Sequence, residues 1–219
     1  IERGRRLVEL FADDAEEALL LGDNSTWTGD DTWITAPHPE TLTNSYSPVY
    51  TDLQDVKLTS ASPISIPPGG AILSFTSEED IEEGFDFGYV EVSGDGGPFL
   101  PMAVFTGAFS GRRSIDLSFF GGQDVLVRFR FLTDDLISAP LFLGWFIDDI
   151  ALESTDFRAI ATVDGATFSF DVHPSKTRAV ERRTEFYRVG GLFGSPCDEN
   201  GPYSNVREIT IAPSVRLPH

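Results

Sequence analysis

The chain has 219 residues, 41% of them hydrophobic, enough for one large β domain or two smaller ones with a sizeable buried core. Thirty-five acidic against 16 basic side chains give a net charge of −19, so a phosphate backbone or an anionic bilayer would be repelled and cations are the natural guests. Eighteen Phe, 20 Gly and 14 Pro favour aromatic strands joined by many turns, an all-β chain, and no run of about 18 apolar residues offers membrane insertion as a helix.

Residues 1–6 lack an initiator Met and an apolar signal core, so the expectation is a mature or trimmed fragment. In residues 7–21, Leu7, Leu10, Phe11, Ala15, Ala18 and Leu19 recur at helical spacing, yet an opening strand with an acidic loop fits the same stretch. Asn24-Ser25-Thr26 is a glycosylation sequon. Residues 22–60 are polar and turn-rich, with Trp27 and Trp33 as anchors. Strand signals sharpen from Ala71: residues 71–75 are an apolar run, and residues 85–92 are aromatic and β-branched before a Gly-Asp-Gly-Gly turn. Val125, Val127, Phe129 and Phe131 alternate with Leu126, Arg128 and Arg130, which predicts a strand apolar on one face and partly basic on the other. Residues 145–152 read as a closing strand. After Ser154 the texture changes, placing a domain boundary between 1–154 and 155–219. Phe168, Phe170 and Val172 alternate with polar residues, residues 185–189 and 206–211 read as strands, and residues 194–204 between them as a loop.

Enzyme motifs are missing. There is no His-Glu-x-x-His, no Gly-x-Ser-x-Gly and no phosphate-cradling Gly-Lys-Ser/Thr loop, and the three histidines are scattered. Cys197, the single cysteine, has no partner for a disulfide, and its Asp198 and Glu199 neighbours disfavour a thiolate. The expectation is a non-enzyme.

Several motifs occur in order along the chain. Asp86-Phe87-Gly88-Tyr89-Val90-Glu91-Val92-Ser93-Gly94-Asp95-Gly96-Gly97 comes first, followed by Ser114-Ile115-Asp116-Leu117-Ser118. Residues 121–131 and Gly144-Trp145-Phe146-Ile147-Asp148-Asp149-Ile150 complete the set. This series, over residues 8–154, resembles the jelly-roll accessory modules of secreted bacterial peptidases of the immune-inhibitor-A type, related to MAM-like domains. Residues 185–189 and Gly201-Pro202-Tyr203-Ser204-Asn205-Val206 look like the last two strands of a fibronectin type III domain, although about 60 residues follow the boundary where a full domain needs nearer 90. The resemblance implies a jelly-roll β-sandwich followed by a short fibronectin type III-like β segment. It also implies a non-catalytic extracellular or cell-surface module serving adhesion, substrate targeting or spacing. Alternatives are a carbohydrate-binding module of a secreted hydrolase and a subunit of a surface layer or filament. The partners would be a glycan or protein surface, or a second copy of the chain.

Such modules place Ca²⁺ where the first loop meets the last strand. Here that implies Asp14 and Glu16, beside Asp13 and Glu17, together with Asp148 and Asp149, a set of hard oxygens of the kind calcium requires. Strict alternation puts Asp148 on one face with Phe146 and Ile150, and Asp149 on the other with Trp145 and Ile147. A carboxylate among such neighbours needs an ion, an Arg or backbone donors, and pairing with Arg128 or Arg130, or a solvated strand edge, is the alternative to an ion. Trp27 and Trp33, in polar surroundings, are the candidate stacking residues for a ligand, with core packing as the competing reading.

Overall fold

The computed structural model describes residues 2–14, 26–29, 33–37, 42–46, 50, 52–136, 142–159, 183–188, 190–192, 200–203 and 207–211. Among them the strands are β1 (Glu2–Asp13), β2 (Trp27–Gly29), β3 (Trp33–Pro37), β4 (Leu42–Tyr46), β5 (Asp55–Ser60) and β6 (Ile64–Ser65). Next come β7 (Ala71–Asp80), β8 (Phe87–Gly94), β9 (Leu100–Phe105), β10 (Ala108–Asp116), β11 (Asp124–Leu132) and β12 (Gly144–Thr155). The series ends with β13 (Arg158–Ala159), β14 (Arg183–Arg188), β15 (Gly190–Leu192), β16 (Asn200–Tyr203) and β17 (Arg207–Ile211).

The fold is an all-β sandwich built from antiparallel pairs. One sheet runs β10-β7-β12-β1-β14-β17, with β13 on β1, β4 on β12 and β3 on β4. The facing sheet runs β2-β5-β11-β8-β9, with β6 on β11, and β15 pairs with β16 separately. From β7 to β12 the chain crosses between the sheets at every step except the β8–β9 hairpin.

Period-2 patterning produces this arrangement. In β11, Val125, Val127, Phe129 and Phe131 are buried while the residues between them are half-buried or exposed, as the alternation requires. The Phe129 ring packs at 5.2 Å from Phe75, 5.7 Å from Trp145 and 5.7 Å from Trp27, tying both sheets into one core. Each such aromatic pair contributes roughly 0.5–1.5 kcal/mol beyond the area it buries. Gly88 is required where it stands: a Cβ there would lie 2.9 Å from Trp145 Cε3, so a larger residue would push the indole out of the core.

Of residues 7–21, open to two readings, residues 15–21 lie outside the described residues, and residues 7–13 belong to a strand from Glu2 to Asp13. Its two ends have different neighbours. Glu2–Arg5 pair with β14, whereas Arg6–Asp13 pair with β12 through two register irregularities. Phe186 of β14 is fully buried against Ile72 and Phe157, so the first sheet carries on past residue 155. The stretch expected as a loop over residues 194–204 contains β16, which gains its partner from β15. The expected alternation at Phe168, Phe170 and Val172 lies outside the described residues.

Strict alternation does not hold in β12. Asp149 takes a left-handed backbone (φ 48°), and the register against β7 slips between Asp148 and Ala151. This bulge inserts one extra residue, so Ile150 joins Trp145, Ile147 and Leu152 in the core instead of sharing a face with Phe146. Asp149 itself is exposed.

Candidate functional site

Two surfaces gather chemistry-bearing side chains. The first lies where β1 ends against the β12 bulge. Asp13 stands opposite Ile150 in the β1–β12 pairing, and a depression of about 420 Å³ is lined by Ala12, Asp13, Asp14, Arg112, Asp149, Ile150 and Ala151. The structure thus brings the expected Asp14 and Asp149 to one place. Asp148 does not join them: it is 7% exposed and its Oδ1 accepts the Asp149 backbone N–H at 2.7 Å. Glu16 lies outside the described residues. Asp13 Oδ2 accepts the Trp27 indole N–H at 2.5 Å, and Asp149 Oδ2 accepts the Thr76 hydroxyl at 3.2 Å. Among the described residues no group of three or more Asp, Glu, His or Cys is placed to hold a metal ion, so these residues alone do not make a calcium cage.

The alternative partners expected for the bulge carboxylates, Arg128 and Arg130, sit on the other sheet. There they form the second surface, the outer face of β5-β11-β8-β9. The basic residue in the depression is instead Arg112, whose Nη2 also donates to Ser74 Oγ at 2.8 Å. Nothing in residues 108–116 distinguished it beforehand; its position follows from β10 pairing with β7.

On the outer face, cross-strand register sets each contact. Arg128 stands opposite Glu91 and Thr59, and Arg130 opposite Tyr89 and Lys57. Arg128 Nε donates to Glu91 Oε2 at 2.6 Å, and the Glu91 side chain is only 7% exposed. Arg130 clasps Asp55 through Nε at 2.5 Å and Nη2 at 3.0 Å, with Glu91 at 3.6 Å. These bonds, with Lys57 alongside, hold the Asp55 carboxyl below its ordinary range. The Arg128 guanidinium lies 3.6 Å from the centre of the Phe99 ring, and Arg130 5.7 Å from that of Tyr89. Phe87 and Tyr89 pack at 6.2 Å. Phe87, Tyr89 and Phe99 are all half-buried, with part of each side chain facing out. The result is a group of half-buried rings, two of them under arginines that are themselves paired with carboxylates.

Trp27, a candidate stacking residue with core packing as the competing reading, is a core residue. It is 1% exposed, packed edge-on against Phe11 at 5.5 Å, and its polar edge is satisfied by Asp13. β2 is a short strand whose pairing with β5 turns the indole inward. Trp33 opens β3, and its side chain lies outside what the structure describes. Phe142 packs against the core, and Trp145 is fully buried in it, its indole N–H donating to Ser77 Oγ at 2.9 Å.

The fold and these two surfaces define an antiparallel β-sandwich with a ring-and-arginine sheet face. No family model matches the chain. It is 36% identical over 97 residues to Bacillopeptidase F of Bacillus subtilis (strain 168), covering 41% of this chain and 6% of that protein. The chain therefore spans a small fraction of that relative's length. It is also similar to the K3 cleaved adhesin domain of Lys-gingipain from Porphyromonas gingivalis W83, with a TM-score of 0.49 and 16% identity over 67% of this chain and 99% of that one. Likeness at that level fixes neither ligand nor partner.

Proposed function

We propose that the chain is a non-catalytic extracellular binding or structural module of a larger secreted or cell-surface protein. In this reading residues 1–154 are a jelly-roll module of the accessory type, and residues 155–219 a fibronectin type III-like segment. The observation that carries the binding role is the outer face of β5-β11-β8-β9. Its charges are paired across the strands before any ligand arrives, which lowers the ordering cost of association. Local identity to part of Bacillopeptidase F supports a setting beside a secreted peptidase.

Within this reading a carbohydrate ligand is favoured by one feature. Phe87, Tyr89 and Phe99 are half-buried rings on this sheet face, bordered by Arg128, Arg130, Glu91 and Asp55 as hydrogen-bonding groups. Depletion from a panel of insoluble polysaccharides and immobilised glycoproteins tests it. Retention of the wild-type chain should fall by at least about tenfold in Phe87→Ser/Tyr89→Ser. Equal retention of the folded double variant would reject the face as the binding surface.

Calcium stabilisation is proposed at the Asp14–Asp149 end, supported by the β1–β12 pairing that carries both carboxylates to one depression. Thermal melts in EDTA and in millimolar CaCl₂ decide it. An ion at about 100 times its dissociation constant adds roughly 2.7 kcal/mol, several degrees of Tm, and Asp149→Asn should abolish that rise. An unchanged wild-type melt would leave Arg112 as the charge partner of these carboxylates.

A further inference from the structure

We propose that one end of the sandwich, formed by Tyr50, residues 52–54, 81–86 and 133–136, docks a basic segment of a partner protein that carries leucine-like side chains between its lysines or arginines. Hydrogen bonds bind these loops into one surface. Leu53 N–H donates to the Asp134 carbonyl at 2.7 Å, and Thr133 N–H to the Gln54 carbonyl at 3.0 Å. The Tyr50 hydroxyl donates to Asp86 Oδ2 at 2.7 Å and accepts the Glu82 N–H at 3.1 Å. Asp134 N–H completes the tie to Asp86 Oδ1 at 2.9 Å.

Two features of this surface work against folding alone. Its residues include Asp52, Glu82, Glu83, Asp86, Asp134 and Asp135 and no Lys, Arg or His, so like charges are gathered there without a basic side chain of the surface's own. Among them stand Leu53, Phe85 and Leu136, exposed at 77%, 56% and 67%. Large apolar side chains held more than half in water beside a carboxylate cluster mark an interaction site. Glu82 Oε2 is moreover buried without a hydrogen-bond partner, a carboxylate oxygen that gains from positive charge nearby. The Asp52 carboxyl is held above its ordinary range by partial burial and by the charges of Asp134, Asp86, Asp135 and Glu82, a repulsion that a cationic occupant relieves. Charge complementarity selects a basic partner, and the exposed leucines and phenylalanine require apolar side chains in the same partner, which a bare cation lacks. The surface adjoins the Asp55 and Phe87 end of the ring-and-arginine face but shares no residue with it, so the two sets of variants are read separately.

The probe is an acetylated alternating Lys-Leu octapeptide, with an alternating Lys-Ser octapeptide of equal charge beside it, each titrated by fluorescence anisotropy. Leu53→Ser/Phe85→Ser and Asp134→Asn/Asp135→Asn should each raise the Kd for the Lys-Leu peptide at least about tenfold, or about 1.4 kcal/mol. Glu9→Gln/Asp156→Asn, which removes the same charge elsewhere, should leave it within about twofold, and the Lys-Ser peptide should bind more weakly throughout. Melting curves verify that each variant is folded. Equal weakening by the Glu9/Asp156 pair, equal affinity for Lys-Ser, or no saturable binding of the Lys-Leu peptide would overturn the proposal.

Discussion

Asp149 holds a left-handed conformation inside a twelve-residue strand, and this one residue decides which side chains of β12 face the core. Asp tolerates that region better than most residues, whereas a β-branched side chain does not. Asp149→Val should therefore cost about 1–2 kcal/mol in urea unfolding, and Asp149→Gly should be close to neutral. A second residue with a steep expected cost is Glu79, whose side chain is fully buried. It receives Arg113 through Nε at 3.1 Å and Nη2 at 2.7 Å, and the Ser77 hydroxyl at 2.7 Å. Glu79→Ala leaves the guanidinium, held between Phe105 and Phe109, without its counter-charge. The expected loss is about 3 kcal/mol, read from the shift in denaturant midpoint. At this scale legibility depends on local context. Asp95, in a Gly-Asp-Gly-Gly turn, was readable as a residue tolerating positive φ, and its φ is 48°. Asp149 was not, because a bulge in β12 is specified by its register against β7 rather than by its neighbours in sequence.

Among elements, β11 was the most legible, since its alternation is unbroken and the structure preserves it. Phe129→Ala removes the ring that Trp27, Phe75 and Trp145 all touch, and should cost about 3–5 kcal/mol. A loss under about 1 kcal/mol in chemical unfolding would mean that the two sheets do not share that core. β1 was ambiguous for a physical reason: its pairing irregularities break the period of two, so its apolar residues also match helical spacing. Its state is settled by the strands on either side. β16 has turn composition, Asn-Gly-Pro-Tyr, and becomes a strand through β15. The basic side of β11 was visible in the sequence, but its partners Glu91 and Asp55 were not, because cross-strand register joins residues far apart in the chain. The meeting of Asp14 with Asp149 followed from a family resemblance, while Arg112 beside them carried no sequence signal.

For the whole molecule, a net charge of −19 makes stability depend on where carboxylates find partners. Asp55 and Asp52 act in opposite directions. The Asp55 carboxyl is depressed by Arg130 and Lys57, so its stabilisation is present above its ordinary value of 3.8 and is lost as pH falls through the lower folded value. The Asp52 carboxyl is raised, so its contribution is present below 3.8 and is lost as pH rises through the higher folded value. Asp55→Asn should accordingly lower Tm at neutral pH and converge with wild type in acid. Asp52→Asn should raise Tm at neutral pH and converge in acid, both seen in melts across the pH range. The central claim, binding without catalysis through the outer face of β5-β11-β8-β9, is tested most directly by an NMR titration of the chain with an oligosaccharide of the polysaccharide that retains it best. The account predicts perturbed signals at Tyr89, Phe99, Arg128 and Arg130, with the ligand's own signals showing no product after prolonged incubation. Perturbations confined to other surfaces, or new ligand signals from turnover, would contradict it.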